Sequence, residues 1–265
     1  QQKSWEQLGT FKGRAWQGSV AYGGASKSVT WLMEFSFSKD PRQNKELRFG
    51  SNELMEKRLA GGEFDPLGLD PDQKNALYCI NATIGRPDMR ASAVFLKYMR
   101  PDTYEMVTIV DPDSKTKSSF GLDGFQFGFK MSPAEFFDTY LPTKVEEGGK
   151  LVVRTENELL ELRVVASKHP SVYLFDLSKN GIAIATYVRG VKRETEYRNV
   201  DDFWLPESYK QEGLGRYTEM RFFEWAVNKP LDADEFSLRS LPVSAGTPVK
   251  DVRKNTTVSF SDWED

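Results

Sequence analysis

Val29-Thr30-Trp31-Leu32-Met33-Glu34-Phe35-Ser36-Phe37 sets apolar side chains at Val29, Trp31, Met33, Phe35 and Phe37 against Thr30, Leu32, Glu34, Ser36 and the following Ser38. A period of two is the signature of a strand with one apolar face. Similar runs occupy Arg14 to Tyr22, Ala91 to Met99, Tyr104 to Val110, Gly124 to Lys130 and Leu151 to Arg154. They continue at Leu159 to Val165, Val172 to Leu177, Ile182 to Arg189 and Tyr217 to Val227, which makes about ten strands. Between them stand Gly23-Gly24, Asp123-Gly124, Gly148-Gly149 and Asn180-Gly181. The last is the dipeptide best suited to a tight type I′ hairpin. Strands joined by such turns are antiparallel, and no alternation of strand with long helix supports a doubly wound nucleotide-binding sheet.

One helix is predicted from Ser132 to about Leu141. Ser132 caps it, Pro133 lacks an N–H where none is needed, and Glu135 completes the Ser-x-x-Glu box. Phe136, Phe137, Tyr140 and Leu141 share one face, and Pro142 stops the helix. A second short helix is predicted at Asn52 to Leu59. The Gly-, Pro- and Asp-rich stretch from Gly61 to Asn75 reads as a long loop of one sheet, because sheet-type alternation resumes on both sides. The expected fold is therefore mainly β, a large curved antiparallel sheet with one or two short helices, in a single domain over residues 1–265.

Composition excludes several function classes. Lysine plus arginine is 36 against 39 aspartate plus glutamate, a net charge of -3 that offers nucleic acid no electrostatic attraction. With 39% hydrophobic and 13% aromatic residues, the chain supports a sizeable core. His169 is the only histidine and Cys79 the only cysteine, so zincin helices, zinc fingers, CxxC pairs and disulfide frameworks cannot be assembled within one chain. No apolar run approaches the ~20 residues of a membrane-spanning helix, and no basic-then-apolar signal segment opens the sequence. The chain begins Gln1-Gln2, which fits a processed exported protein or a trimmed one, and export is the expectation.

No catalytic, metal or cofactor site is expected. Asp111-Pro-Asp113 resembles the start of a calcium loop, yet Lys115 stands at the third ligand position and no glycine follows it. Asp65, Asp70 and Asp72 suit turns as well as a cation. Ser114-x-x-Lys117 lies in a hydrophilic turn and lacks a Lys-Thr-Gly partner. Gly23 to Ser28 has the flavour of a phosphate loop without its spacing. His169, before Pro170, has no nucleophile beside it in sequence, and nothing selects a carboxylate pair. Asn81-Ala-Thr83 and Asn255-Thr-Thr257 fit the glycosylation pattern, which matters only for a secreted eukaryotic protein.

What remains is apolar. Trp31, Met33, Phe35 and Phe37, the Phe125, Phe127, Phe129 alternation and the stripe Leu160, Leu162, Val164 are each enough to line one face of a sheet. Such a face either fills a core or leaves a cavity for an acyl chain, and Met33, Met106, Met131 and Met220 suit a pocket that adapts to its ligand.

Three segments carry a resemblance to a known family. They are the strand pair Arg14 to Tyr22 and Thr30 to Phe37, followed by Leu47-Arg48-Phe49; Phe127 to Leu141, a strand and then a capped helix; and Tyr217 to Val227 followed by Pro230 to Leu238 and Gly246-Thr-Pro-Val-Lys-Asp251. Together they resemble the bacterial lipoprotein-carrier superfamily of the LolA and LolB type, over about a third of the chain. The long N-terminal helix typical of the carriers is absent or was removed, and Gly61 to Asn75 has no counterpart in them. The resemblance implies an unclosed β-barrel plugged by helices, in a periplasmic or otherwise exported protein. It also implies a non-catalytic role in which the concave face holds a lipid or the acyl chains of a lipoprotein, with an envelope protein as a further partner. Trp31, Met33, Phe35, Phe37, Phe125, Phe127 and Phe129 are expected to line that face, and Phe136, Phe137 and Tyr140 the plug. A different class of function stays open: a sensor or scaffold with a filled core that acts through an edge strand or the Gly61 to Asn75 loop.

Overall fold

Val29 to Phe37 lie on β2, Lys27–Ser38, which sits deep inside a large sheet. A computed structural model describes residues 7–21, 27–39, 43–50, 78–94, 106–112, 137–138, 141–146, 149–165 and 170–263. Before the chain's middle come β1 (Thr10–Ala21), β3 (Gln43–Gly50), β4 (Tyr78–Gly85), β5 (Arg90–Val94) and β6 (Met106–Val110). A short helix, α1 (Leu141–Glu146), precedes β7 (Lys150–Glu156), β8 (Leu159–Val165), β9 (Ser171–Asp176) and β10 (Ile182–Val188). The chain continues through β11 (Val191–Val200), β12 (Phe203–Gly213), β13 (Arg216–Val227), β14 (Pro248–Asp251) and β15 (Thr256–Ser259). Their hydrogen-bonded order is β15-β14-β6-β5-β4-β3-β2-β1-β13-β12-β11-β10-β9-β8-β7, so the sheet is open, with β15 and β7 as its edges. From β2 to β6 and from β7 to β13 successive strands pair antiparallel, as do β14 and β15, whereas β14 and β6 pair parallel through Val249↔Val107. The mainly β, unclosed antiparallel sheet expected from the sequence is what forms.

The chain divides into two compact units, and neither is a continuous piece of it. The first comprises Gln1–Gln7, Gly18–Ser28 and Gly121–Phe222; the second comprises Leu8–Gln17, Val29–Phe120 and Phe223–Asp265.

In the first unit, hairpins follow one another from β7 to β13, and their turns explain the tight connections. Consecutive left-handed residues occur at Asn157-Glu158 (φ 48° and 63°), Asp201-Asp202 (51° and 71°) and Leu214-Gly215 (52° and 72°). Such pairs give the twist that a two-residue antiparallel turn needs. Asn180-Gly181 also has φ of 61° and 69°, but it follows a 3-10 turn, Leu177–Lys179, so the β9–β10 connection is longer than the predicted two-residue hairpin. Asp176 holds that turn by accepting the Ser178 N–H at 3.0 Å and the Lys179 ammonium at 2.8 Å. Leu141, Leu162, Val164, Tyr173 and Phe175 form the core on one face of β8 and β9.

Pro142 lies in the first turn of α1, where the backbone N–H groups have no helical partner and proline costs little. Phe137 and Asp138 form a π-helical turn just before it. The rest of the predicted Ser132 to Leu141 helix, with Phe136 and Tyr140, lies outside the described residues, as do the Asn52 to Leu59 helix, the Gly61 to Asn75 loop and the Phe125, Phe127, Phe129 strand.

In the second unit the larger core packs Leu32, Leu47, Phe49, Ala82, Ile84, Ala91, Val107, Ile109 and Val249 from the sheet against Phe236, Leu238, Leu241 and Trp263. The C-terminal segment is therefore a lid on that face, and burying each such side chain contributes about 1.5–3 kcal/mol. The end of the segment is fixed by charge. Asp251 is fully buried and accepts three bonds from Arg253, from the backbone N–H to Oδ1 at 3.0 Å, from Nε to Oδ1 at 2.9 Å and from Nη2 to Oδ2 at 2.8 Å. Hydrogen bonding from that guanidinium holds the Asp251 carboxyl below its usual range. Arg253 Nη1 also donates to the Asp88 carbonyl at 2.8 Å.

Candidate functional site

The second unit presents its two sheet faces very differently. On β2, Trp31, Met33, Phe35 and Phe37 point one way and Leu32, Glu34 and Ser36 the other. Phe35 packs edge-on to Phe11 and Trp225, with centroids 6.2 Å and 5.2 Å away. Phe11 in turn stacks on Phe37 at 5.0 Å and meets Trp225 edge-on at 6.0 Å. Four rings thus form one cluster on neighbouring strands, in the offset and edge-to-face geometries that aromatic quadrupoles favour. The cluster exists because residue 13 is glycine: a β-carbon there would overlap the Phe35 ring. Met33 and Phe35 are 0% and 3% exposed, whereas Trp31, Phe37 and Trp225 are half-buried. The cluster is backed by buried groups and reaches water along one margin.

Its other margin is polar, which the alternation on β2 alone did not reveal. Register places Arg48 opposite Met33, Glu46 opposite Phe35 and Asn44 opposite Phe37, so these polar side chains share the aromatic face. Arg48 Nε donates to Glu46 Oε1 at 2.6 Å, and the pair is largely buried. The Arg48 guanidinium also lies 5.8 Å from the Trp31 ring centroid, within cation–π range. The next strand continues the polar row with Asn81 and Thr83. An aromatic platform therefore ends in a buried ion pair.

The opposite face holds a cavity of about 230 Å³, lined by Lys12, Arg14, Glu34, Ser36, Lys45 and Glu235 among others. Glu235 comes from the C-terminal segment. It receives the Lys12 ammonium at 2.5 Å and the Ser36 hydroxyl at 2.7 Å, with Lys45 at 3.9 Å. Burial alone would raise the Glu235 carboxyl, but hydrogen bonds from Lys12 and Ser36 and the charge of Lys45 outweigh it and hold the group below its usual range. The Arg14 guanidinium stands between Glu34 and Glu224, at 3.4 Å from each. Every cation lining this cavity has a carboxylate within 4 Å, so the arrangement clamps the segment to β1–β3.

Of the residues expected to bind ligand, Trp31, Met33, Phe35 and Phe37 come together in the second unit. Phe137 belongs to the first unit, is 37% exposed and places its ring 5.6 Å from that of Phe175. Sequence reasoning missed Phe11 and Trp225, which lie on β1 and β13 and reach Phe35 only through pairing of distant strands. Cys79 is buried with its thiol toward the Asn81 carbonyl, and Asn255 is exposed in a left-handed turn. Among the described residues, no helix is long and apolar enough to cross a membrane, and no group of three or more potential ligands is placed to hold a metal ion.

No protein-family model matches the sequence, and no curated protein matches it. Solved structures match it over most of its length. A putative outer membrane lipoprotein-sorting protein domain from Vibrio parahaemolyticus matches with 11% identity and a TM-score of 0.48, covering 88% of this chain and 92% of that one. A LolA superfamily protein from Nitrosomonas europaea matches with 8% identity and a TM-score of 0.42, over 89% and 93%. A DUF1329 family protein from Desulfovibrio piger matches with 11% identity and a TM-score of 0.49, over 89% and 92%.

Proposed function

We propose that this protein is an exported bacterial carrier that takes an apolar ligand, a lipid or the acyl chains of a lipoprotein, on its aromatic sheet face and performs no chemistry on it. The observation that carries the reading is the cluster of Phe11, Phe35, Phe37 and Trp225, open to water at Phe37 and Trp225 and continued by Trp31. Burial drives such binding: each methylene taken from water contributes about 0.8 kcal/mol. Trp31, Phe37 and Trp225 make the contact, while Met33 and Phe35 form the rigid floor. The 265 residues are taken as one domain in this proposal. Export rests on the sequence resemblance to the lipoprotein carriers.

Titration with a fluorescent fatty acid tests the site. Trp31→Asp combined with Phe37→Asp is expected to weaken binding at least tenfold while the circular dichroism spectrum stays unchanged. Full affinity in that variant overturns the site assignment.

A second reading has its own support. Met33 and Phe35 are almost wholly buried and the four rings touch, which is how a filled core looks. On that reading the protein is a scaffold or sensor that works through contacts with an envelope protein, and it takes up no apolar probe.

A further inference from the structure

Among the described residues, β7 is an edge strand along its whole length. All seven residues, Lys150-Leu-Val-Val-Arg-Thr-Glu156, are exposed, and among the described residues the strand pairs only with β8. Its backbone donors and acceptors on the outer side are those an added strand would use. The apolar row of the adjoining core continues onto it. Leu151 stands opposite Val164 and Val153 opposite Leu162, both members of that core, yet Leu151 is 39% and Val153 55% exposed.

We propose that β7 pairs antiparallel with β7 of a second copy of this chain, about a two-fold axis at Val153. The sequence of the strand is self-complementary in that register. Lys150 then faces Glu156 of the second copy at both ends, Leu151 faces Thr155, Val152 faces Arg154, and Val153 faces its own equivalent. Opposed residues of an antiparallel pair project from the same face, so the two Lys–Glu pairs are in reach and the row Leu151, Val153, Thr155 runs on across the axis. Parallel in-register pairing would instead set Lys150 on Lys150 and Glu156 on Glu156, so the same charges select the antiparallel arrangement. A two-fold contact of this kind closes on itself and yields dimers, not fibres. One strand per partner buries little surface, which places the dimer among weak, concentration-dependent assemblies.

Sedimentation equilibrium of the full chain, from low micromolar to several hundred micromolar, tests the proposal. The native protein is expected to show a monomer–dimer equilibrium that weakens with added salt. Lys150→Glu and Glu156→Lys should each raise the dissociation constant about tenfold or more, since each turns two attractive pairs into two repulsive ones. An equimolar mixture of the two variants should regain dimer, because only the mixed pair restores Lys opposite Glu at both ends, and this regain also shows that both variants are folded. A native chain that stays monomeric throughout, a dimer indifferent to both charge reversals, or a mixture no better than its components would overturn it. Either result is independent of whether the aromatic face binds lipid.

Discussion

The Phe35 ring lies directly across Gly13, in the space that a β-carbon on residue 13 would occupy. The glycine is what allows Phe35 to reach Trp225 and Phe11 together, so Gly13→Val should displace the ring and break the cluster. Overpacking of this kind costs about 1–3 kcal/mol. Thermal denaturation should show a lowered Tm, and adding Phe35→Leu should recover part of the loss; equal Tm values for Gly13→Val and the native chain would contradict the packing described.

The Asp251–Arg253 pair fastens the C-terminal lid, and Asp251 has no exposed surface to fall back on. Arg253→Ala leaves a buried carboxylate with backbone N–H donors but no countercharge, and breaking a buried ion pair in this way costs about 3–5 kcal/mol. Arg253→Lys should recover only part of this, because an ammonium cannot donate the paired bonds of a guanidinium. Urea unfolding of the three proteins measures the order, native above lysine above alanine.

Acid should loosen the lid in a defined direction. Asp251 and Glu235 both have folded-state carboxyls held below their usual range, so each contributes stability that is present above the unfolded pKa and lost as pH falls through the folded one. Tm should therefore be steady near neutrality and fall once pH drops below about 4, the ordinary carboxylate value. Glu235→Gln should lower Tm at pH 7 and flatten the acid decline; a Glu235→Gln profile parallel to the native one would remove Glu235 from the clamp.

Binding on the aromatic platform should scale with chain length. At about 0.8 kcal/mol per methylene, each added CH₂ tightens binding roughly fourfold until the chain outruns the platform. Calorimetric titration across a fatty-acid series should show this rise together with a negative heat-capacity change. Affinity indifferent to length would point to the scaffold reading.

The open antiparallel sheet was legible because alternation on β2, β8, β9, β10 and β13 is written in large apolar residues. Two long strands were not. On β11, Lys192-Arg-Glu-Thr-Glu196 carries polar residues on both faces, so no period of two in hydrophobicity exists to read. On β12, Pro206 reads as a strand breaker, yet it is tolerated because the register slips between Glu196 and Tyr197 where it pairs. The short helix α1 was not legible either, since Pro142 reads as a helix breaker and is compatible only with the first turn it occupies. Half of the aromatic cluster was visible on β2. Phe11 and Trp225 were not, because their contact with Phe35 depends on which distant strands pair. The Glu46–Arg48 boundary was hidden likewise, as only register shows that it shares the face of Met33 and Phe35.

The central claim is that the aromatic face carries an apolar ligand, and native mass spectrometry of the purified protein, followed by organic extraction and lipid analysis, tests it most directly. The account predicts a bound acyl species in near-stoichiometric amount, lost in the Trp31→Asp, Phe37→Asp variant. A clean ligand-free mass, with no uptake of a fluorescent fatty acid, would contradict it.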